Sequence, residues 1–487
     1  MGATVRFLLG EAEREIVLAD PTRTVLDYLR TEERRTGTKE GCAEGDCGAC
    51  TVLLGEARDG AMRYRAVNAC IAFAATLDGK QLLSVEDLAA ADGTPHPVQR
   101  AMVAQHASQC GFCTPGFVMA LAAFRLAGAA PTRAAIDDAL AGNLCRCTGY
   151  RPIIDAARAA CADPAPDPLR ANEGTTLARL QALAPRTSLA IVRDGRRFLA
   201  PRSVAELAAL CEEFPEAILL AGGTDVGLAV TKALRDPACV IALGAVGGLD
   251  AIVESAHAIT IGATATYSDA APVIARHYPD FGELIRRIGS VQVRNVATLG
   301  GNIANASPIG DTMPALLALD ARLLLRRGST VRELPLAGFY RGYRKTVLEP
   351  GEFLERIVLP KPVPGQMFRA YKLSKRFDQD ISAVCAAFAL TLEAGRVSGF
   401  RAGFGGLAAT PARAPAIEAA VLGRRWDEAT LAAAQEAFDA SFTPLSDMRA
   451  SSAYRRLAGR NLLRKLYLET APSGSGRART RILEPVL

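Results

Sequence analysis

Apolar and polar positions alternate from the start of the chain. Val5, Phe7 and Leu9 fall on one side of residues 4–9, the period of a half-buried strand. Gly10 and the charged residues after it predict a turn, and Ile16–Leu18 the return strand. Thr24-Val25-Leu26-Asp27 has the form of a capping box opening a short helix with Leu26 and Leu29 inside. Thr51–Leu54 reads as a further strand, and a second cap, Ser84-Val85-Glu86-Asp87, closes the segment. Strands, one helix and a long loop predict a β-grasp domain over residues 1–84. The period then becomes helical. One helix is expected from about Pro115 to Leu126, Thr132 caps another with Ile136 and Leu140 one turn apart, and Pro152 suits the first turn of a last one. A four-helix bundle over 85–162 follows.

Residues 163–190 are proline-rich and predict an extended, semi-rigid linker, the strongest boundary in the chain. From 191 to 362 the pattern is α/β, with a cap at Ser203-Val204-Ala205-Glu206 and a buried strand at Ala217–Ala221. A last domain over 363–470 starts with the strand Phe368–Lys372, turns at Gly403–Gly406 and is helical over 427–468. A tail, 471–487, is expected to be flexible or to dock on a partner. The fold class is therefore α+β, multidomain.

Composition narrows the function. Apolar runs are interrupted well before the ~20 residues a membrane span needs, and the N-terminus has no apolar signal core, so a cytoplasmic protein without membrane contact is expected. A net charge of +6 with no Lys/Arg run argues against nucleic acid. Twelve cysteines in such a chain point to metal or redox chemistry instead of disulfides, and four dispersed histidines argue against a histidine metal site.

The cysteines are patterned. Cys42, Cys47 and Cys50 stand at C-x4-C-x2-C within Gly41–Thr51, and Cys70 follows 20 residues on. This is the spacing of a plant-type [2Fe–2S] site. The interleaved glycines allow the tight wrapping that turns backbone N–H groups toward the sulfurs. Cys110 and Cys113 form C-x2-C, and Cys145 and Cys147 form C-x-C after 31 intervening residues. Alone, this second set also fits structural zinc. Beside a plant-type loop, two four-cysteine sites are better explained as an electron wire.

Two further loops have the composition of a dinucleotide cradle. Gly222-Gly223-Thr224-Asp225 ends a strand, and Thr298-Leu299-Gly300-Gly301-Asn302-Ile303 precedes Ala306-Ser307-Pro308-Ile309-Gly310-Asp311. Backbone N–H groups without side-chain bulk suit a pyrophosphate, although such turns also occur with no ligand. No G-x-G-x-x-G fingerprint is present, which disfavours a Rossmann site. Lys372, Lys375, Arg376, Asp378 and Asp380 form either part of a site or a solvated charged loop.

Five motifs occur in order: GCxEGxCGACT (Gly41–Thr51), QCGFCTPG (Gln109–Gly116), GNLCRCTGYRP (Gly142–Pro152), TLGGNI (Thr298–Ile303) and ASPIGD (Ala306–Asp311). With them the chain, from about residue 3 to 470, resembles the molybdenum hydroxylase (xanthine oxidase) family, and within it the iron–sulfur/FAD subunits of bacterial xanthine dehydrogenases. The resemblance implies one [2Fe–2S] cluster on Cys42, Cys47, Cys50 and Cys70 and a second on Cys110, Cys113, Cys145 and Cys147. Gln109 matches a glutamine that contacts the pterin of the molybdenum cofactor on a partner domain. FAD would be held by a two-part domain of the PCMH (vanillyl-alcohol-oxidase-like) type. Its residues would be Leu219, Leu220, Ala221, Gly222, Gly223, Thr224, Asp225, Val226, Thr298, Leu299, Gly300, Gly301, Asn302, Ser307, Asp311, Leu354 and Lys372. A C-terminal α+β flavoprotein domain follows. Cys161, Cys211, Cys239 and Cys385 match no ligand position and read as buried small hydrophobes. One position departs from animal members, where a phenylalanine packs on the flavin; here it is Ile288.

The implied function is electron exit. A large molybdenum-cofactor subunit would oxidise hypoxanthine or xanthine to urate, and electrons would cross two clusters to FAD and then NAD, in an α2β2 assembly. No catalytic acid or base is named on this chain. The rival acceptor is O2. Rival substrates are an aldehyde, an N-heterocycle or carbon monoxide. Rival classes are a zinc-holding scaffold and a carrier or maturation factor without a fixed partner.

Overall fold

The first strand turns back sooner than its charge pattern predicts. Val5–Leu9 pairs antiparallel with Ala12–Ile16, not with Ile16–Leu18. Gly10, at φ +59°, makes the tight turn. Glu13 and Glu15, expected in that turn, lie in an edge strand, where charged side chains discourage pairing with other chains. The computed structural model describes residues 3–90, 92–185 and 187–471. It divides into two units: the chain up to Gly247 together with Gly289–Ala297, and Gly248–Ile288 with the chain from Thr298 on.

In the first unit, five strands lie in the order Ala12–Ile16, Val5–Leu9, Gln81–Leu83, Thr51–Arg58, Ala61–Asn68. The central pair, Val5–Leu9 and Gln81–Leu83, is parallel, as a β-grasp requires. The Thr24 hydroxyl accepts the Asp27 N–H at 3.1 Å, but only Val25–Asp27 is α-helical before a π-helical turn, Tyr28–Glu32. Phe7, Leu26, Leu29 and Val52 fill the core. Four helices follow: Pro97–Ala104, Thr114–Ala127, Arg133–Leu140 and Arg151–Ala162. Thr132 caps the third, and Phe117, Leu121, Ile136, Ile153 and Ala157 pack between them.

The stretch expected as an extended linker is helical over Pro168–Ala171 and Glu173–Leu183. Asp167 accepts the Leu169 N–H at 3.1 Å, and Pro168 presets the first helical φ, so proline here starts a helix instead of extending the chain. Leu180 and Leu183 then pack on Leu8 and Met62 of the β-grasp sheet. A four-stranded sheet completes the unit, in the order Leu189–Arg193, Arg196–Ala200, Cys239–Ala242, Ile218–Leu220. Ile191, Phe198 and Val240 join the same core as Phe7. The strand expected as buried over Ala217–Ala221 is shorter, and only Leu220 in it is fully buried.

The second unit holds a five-stranded antiparallel sheet ordered Ile252–Glu254, Ala258–Gly262, Phe353–Pro360, Arg322–Arg327, Thr330–Pro335. It also holds a four-stranded sheet, Gln366–Leu373, Val384–Glu393, Arg396–Gly405 and Ala412–Arg413. Helices Glu428–Ser441 and Ser452–Thr470 bring Phe438 and Leu463 onto Phe388, Phe400 and Phe404 of that sheet. The helical stretch expected over 427–468 is thus broken at 442–451. From residue 472 the expected tail lies outside the described residues. Among the described residues no helix is long and apolar enough to cross a membrane. The fold is α+β and multidomain, as expected.

Candidate functional site

The first cysteine loop wraps as its glycines suggest. Ala43 (φ +55°), Gly45 (+77°) and Gly48 (+70°) are left-handed. The N–H groups of Glu44, Asp46 and Cys47 donate to Cys42 Sγ at 3.4, 3.4 and 3.3 Å. The Asn68 amide holds the loop by donating to the Gly45 carbonyl at 2.9 Å. Cys50 and Cys70 are buried; Cys42 and Cys47 are half-buried.

The four thiols of the first site form a continuous chain of contacts. Cys42 is within hydrogen-bonding reach of Cys47 and Cys70, and Cys50 of Cys70. Hydrogen bonds from Cys47 and Cys70 push the Cys42 thiol well below its ordinary range. The same bonds, and then burial, raise Cys47 and Cys70. At the second site Cys113 pairs with Cys145, and Cys110 with Cys147. Burial, and then the bond to Cys145, pushes Cys113 up to about 12. For Cys145, burial acts upward but is outweighed by the Thr148 hydroxyl at 3.1 Å and N–H at 3.4 Å, so its thiol is lowered. Among the described residues no group of three or more His, Cys, Asp or Glu is gathered to hold a single metal ion. Four thiolates gathered in one loop region suit a two-iron cluster, in which each iron takes two sulfurs.

Both second-site pairs lie at helix ends. Cys113 is the N-cap of Thr114–Ala127, and Cys145 and Cys147 precede Arg151–Ala162. Tyr150, left-handed at φ +68°, accepts the Cys145 N–H on its hydroxyl at 3.0 Å. Gln109, Cys110 and Cys147 are exposed, and so are the apolar side chains of Val103, Phe112, Leu144 and Tyr150.

The two cysteine sites touch. The Leu144 N–H donates to the Cys47 carbonyl at 3.0 Å. Asn143 Nδ2 donates to the Gly48 carbonyl at 3.0 Å, and a Cβ on Gly116 would lie 2.2 Å from that oxygen. Sequence reasoning missed Asn143, Thr148 and Tyr150 as supports of the site, although all three lie inside the quoted GNLCRCTGYRP motif.

The expected flavin residues fall in both units. In the first unit, Leu219 and Leu220 end the strand Ile218–Leu220, Gly223 is left-handed at φ +75°, and Val226 opens the short helix Val226–Thr231. Ala221 and Thr224 are half-buried, and Asp225 is exposed. A Cβ on Gly222 would lie 1.9 Å from the Val296 carbonyl, so close backbone packing alone demands glycine there. A Cβ on Gly227 would lie 2.5 Å from the carbonyl of Ile71, the neighbour of Cys70, and the Thr231 hydroxyl donates to the Ala43 carbonyl at 2.9 Å. This loop is therefore seated on the first cysteine site.

In the second unit, Thr298–Asn302 is not an open loop. Thr298 is the N-cap of the helix Leu299–Ala304, and its hydroxyl accepts the Gly301 N–H at 3.0 Å. Gly300 packs against Ala263, where a Cβ would lie 2.5 Å from the carbonyl. Asn302 Oδ1 accepts the Thr312 hydroxyl at 2.6 Å, and Ser307 accepts the Ile309 N–H. Lys372, weighed as part of a solvated loop, is buried at the end of Gln366–Leu373. Its Nζ lies 2.6 Å from Asp311 Oδ2, and Ser382 Oγ donates to Asp311 Oδ1 at 2.5 Å. Leu354 is buried, and Ile288 is half-buried just after the helix Pro279–Arg286. Of the four unassigned cysteines, Cys211 and Cys385 are buried, but Cys161 and Cys239 are only half-buried. Cys385 also donates to the Asp311 carbonyl at 3.6 Å.

Four family models match in chain order. They are a 2Fe-2S iron-sulfur cluster binding domain over residues 8–75 and a [2Fe-2S] binding domain over 84–158, then the FAD binding domain in molybdopterin dehydrogenase over 193–362 and the CO dehydrogenase flavoprotein C-terminal domain over 369–470. The chain belongs to the molybdenum hydroxylase family. This molybdenum hydroxylase chain therefore carries two [2Fe–2S] domains and an FAD-binding domain. It is 32% identical over 499 residues to a xanthine dehydrogenase of Emericella nidulans, covering 90% of this chain and 36% of the relative. It is 33% identical over 460 residues to a xanthine dehydrogenase of Drosophila pseudoobscura pseudoobscura, covering 81% of this chain and 34% of the relative. The chain thus spans 36% and 34% of the lengths of these two relatives. Among solved structures it is similar to reconstituted CO dehydrogenase from Oligotropha carboxidovorans (29% identity, TM-score 0.52) and to quinoline 2-oxidoreductase from Pseudomonas putida 86 (27%, 0.51). Each match covers 55% of this chain and 94% of the other.

Proposed function

We propose that this chain is the electron-exit subunit of a xanthine dehydrogenase. Electrons from hypoxanthine or xanthine, oxidised to urate at the molybdenum cofactor of a large partner subunit, pass through the two cysteine sites and FAD to NAD. When bound, [2Fe–2S] clusters carry single electrons, and a flavin converts single electrons into the hydride that nicotinamide accepts. The chain's own residues bind and orient. Cys42, Cys47, Cys50 and Cys70 hold one cluster; Cys110, Cys113, Cys145 and Cys147 hold the other. The residues proposed for FAD are Leu219–Val226, Ile288, Thr298–Asn302, Ser307, Asp311, Leu354 and Lys372. The observation that carries the reading is the contact of the two thiol sets, with Leu144 N–H donating to the Cys47 carbonyl at 3.0 Å while Cys110 and Cys147 stay exposed. A wire needs such an internal joint and such an open end.

The open end is where the partner would dock. Gln109 sits there to meet the pterin, among exposed Val103, Phe112, Leu144 and Tyr150; apolar surface rimmed by polar residues marks interaction sites. The proposed assembly is an α2β2 heterotetramer in the cytoplasm, without nucleic acid or membrane. A second reading keeps the electron-exit role but changes the substrate to an aldehyde, an N-heterocycle or carbon monoxide, or the acceptor to O2. Likeness to CO dehydrogenase and quinoline 2-oxidoreductase favours it for the substrate, and Ile288 for the acceptor.

An anaerobic NADH titration of the purified protein, followed by absorbance and low-temperature EPR, tests the first reading. Bleaching of a flavin band with two distinct reduced [2Fe–2S] signals is expected. If dithionite produces those signals and NADH does not, the NAD assignment falls and O2 or another acceptor replaces it.

A further inference from the structure

Gln292 occupies the joint between the two cysteine loops, yet it lies far from both in sequence. Its segment, Gly289–Ala297, belongs by contact to the cysteine-bearing unit although the chain on either side does not. The segment is fixed there. Ser290 caps its short helix, the Arg65 guanidinium donates to the Asn295 carbonyl at 2.8 Å, and Asn295 Nδ2 donates to the Ala66 carbonyl at 2.9 Å.

Gln292 Nε2 donates to Asn143 Oδ1 at 2.8 Å and to Thr51 Oγ1 at 3.3 Å. Asn143 Nδ2 and Thr51 Oγ1 in turn both donate to the Gly48 carbonyl, at 3.0 and 2.6 Å. Asn143 is two residues from Cys145, Thr51 adjoins Cys50, and Gly48 adjoins Cys47. One side-chain amide therefore ties together side chains from both ligand loops, and through them the Gly48 carbonyl. The fit is tight: a Cβ on Gly142 would lie 2.1 Å from Gln292 Oε1. That Oε1 is buried with no hydrogen-bond partner, and Gln292 is 1% exposed. An apolar side chain of the same shape would leave Asn143 Oδ1 and Thr51 Oγ1 without this donor.

We propose that Gln292 is a positioning residue for electron transfer between the two clusters, setting the placement of one ligand loop against the other through Asn143. The transfer itself moves one electron from one cluster to the next, with no bond made or broken. The inference rests on the two-cluster reading above. The test is the full-length protein with Gln292→Leu and Gln292→Glu, each of which removes the donor at near-constant volume. Iron content, the spin–spin splitting between the two reduced clusters in EPR, and the rate of electron equilibration between them by freeze-quench are measured. The expected result is unchanged iron, altered splitting and equilibration slowed about tenfold or more, the scale on which small displacements act. Unchanged splitting and rate, with only a lower Tm, overturn the proposal, as does loss of iron in both variants. Absence of reduced-cluster signals in the unsubstituted protein overturns the cluster reading itself, and this proposal with it.

Discussion

Gly48 shows how closely single residues are constrained at the cysteine sites. It is left-handed at φ +70°, and a Cβ there would lie 2.2 Å from the Gly142 carbonyl and 2.5 Å from Asn143 Nδ2. Gly48→Ala combines left-handed strain of about 1–3 kcal/mol with a backbone clash. A lower Tm and loss of iron are expected, measured by calorimetry and iron assay; an unaltered iron content would contradict the contact between the two loops. The Asp311–Lys372 pair is a second case. Both side chains are almost fully buried, so Lys372→Met removes the cation from Asp311 and leaves it, among the described residues, with Ser382 as its side-chain donor. Breaking a buried pair on one side costs about 3–5 kcal/mol. The unfolding transition of K372M should shift down by that scale, and D311N/K372M should recover most of it. The pairing could not be read from spacing, because the partners lie 61 residues apart on different elements.

At the level of elements, the helical connection after the bundle replaces the expected extended linker, and its start is clamped. Asp167 caps Pro168–Ala171, accepts from His96 at 3.2 Å and lies 3.3 Å from the Arg125 guanidinium. His96 Nδ1 accepts the Val98 N–H, so Nε2 carries the proton given to Asp167. Burial raises the Asp167 pKa, but the His96 hydrogen bond, the Leu169 N–H and the Arg125 charge outweigh it, and the net shift is below the ordinary 3.8. A depressed carboxylate stabilises the fold above its unfolded value and loses that contribution as pH falls through the folded value. Asp167→Asn should therefore lower Tm at neutral pH and flatten the fall of Tm below pH 3.8. Equal slopes for both proteins in a pH series of melting curves would refute the clamp. Leu180→Ala, which removes the contact of this helix with Leu8 and Met62, should cost about 2–5 kcal/mol in chemical unfolding.

For the whole molecule, the proposed partner surface is the open end of the wire. Val103 is 77% exposed on the first bundle helix and ligates nothing. Val103→Glu should keep full iron content and weaken co-purification with the molybdenum subunit. Undiminished co-purification would move the interface elsewhere.

The four-cysteine spacings, the capping residues Thr132 and Ser203 and the strand at residue 5 were legible in the chain, because each depends on neighbours within a few residues. The α+β, multidomain class followed from such local patterns. What tertiary structure decided is which distant residues meet: Gln292 with Asn143, Lys372 with Asp311, the helix through Leu180 with the β-grasp sheet. It also decided which glycines serve packing. Gly222 reads as part of a ligand cradle, yet the Val296 carbonyl fills the space a side chain would need. Local pattern sets backbone preference and ligand type; long-range burial and hydrogen bonding set what each residue faces, and that has no signature in spacing along the chain.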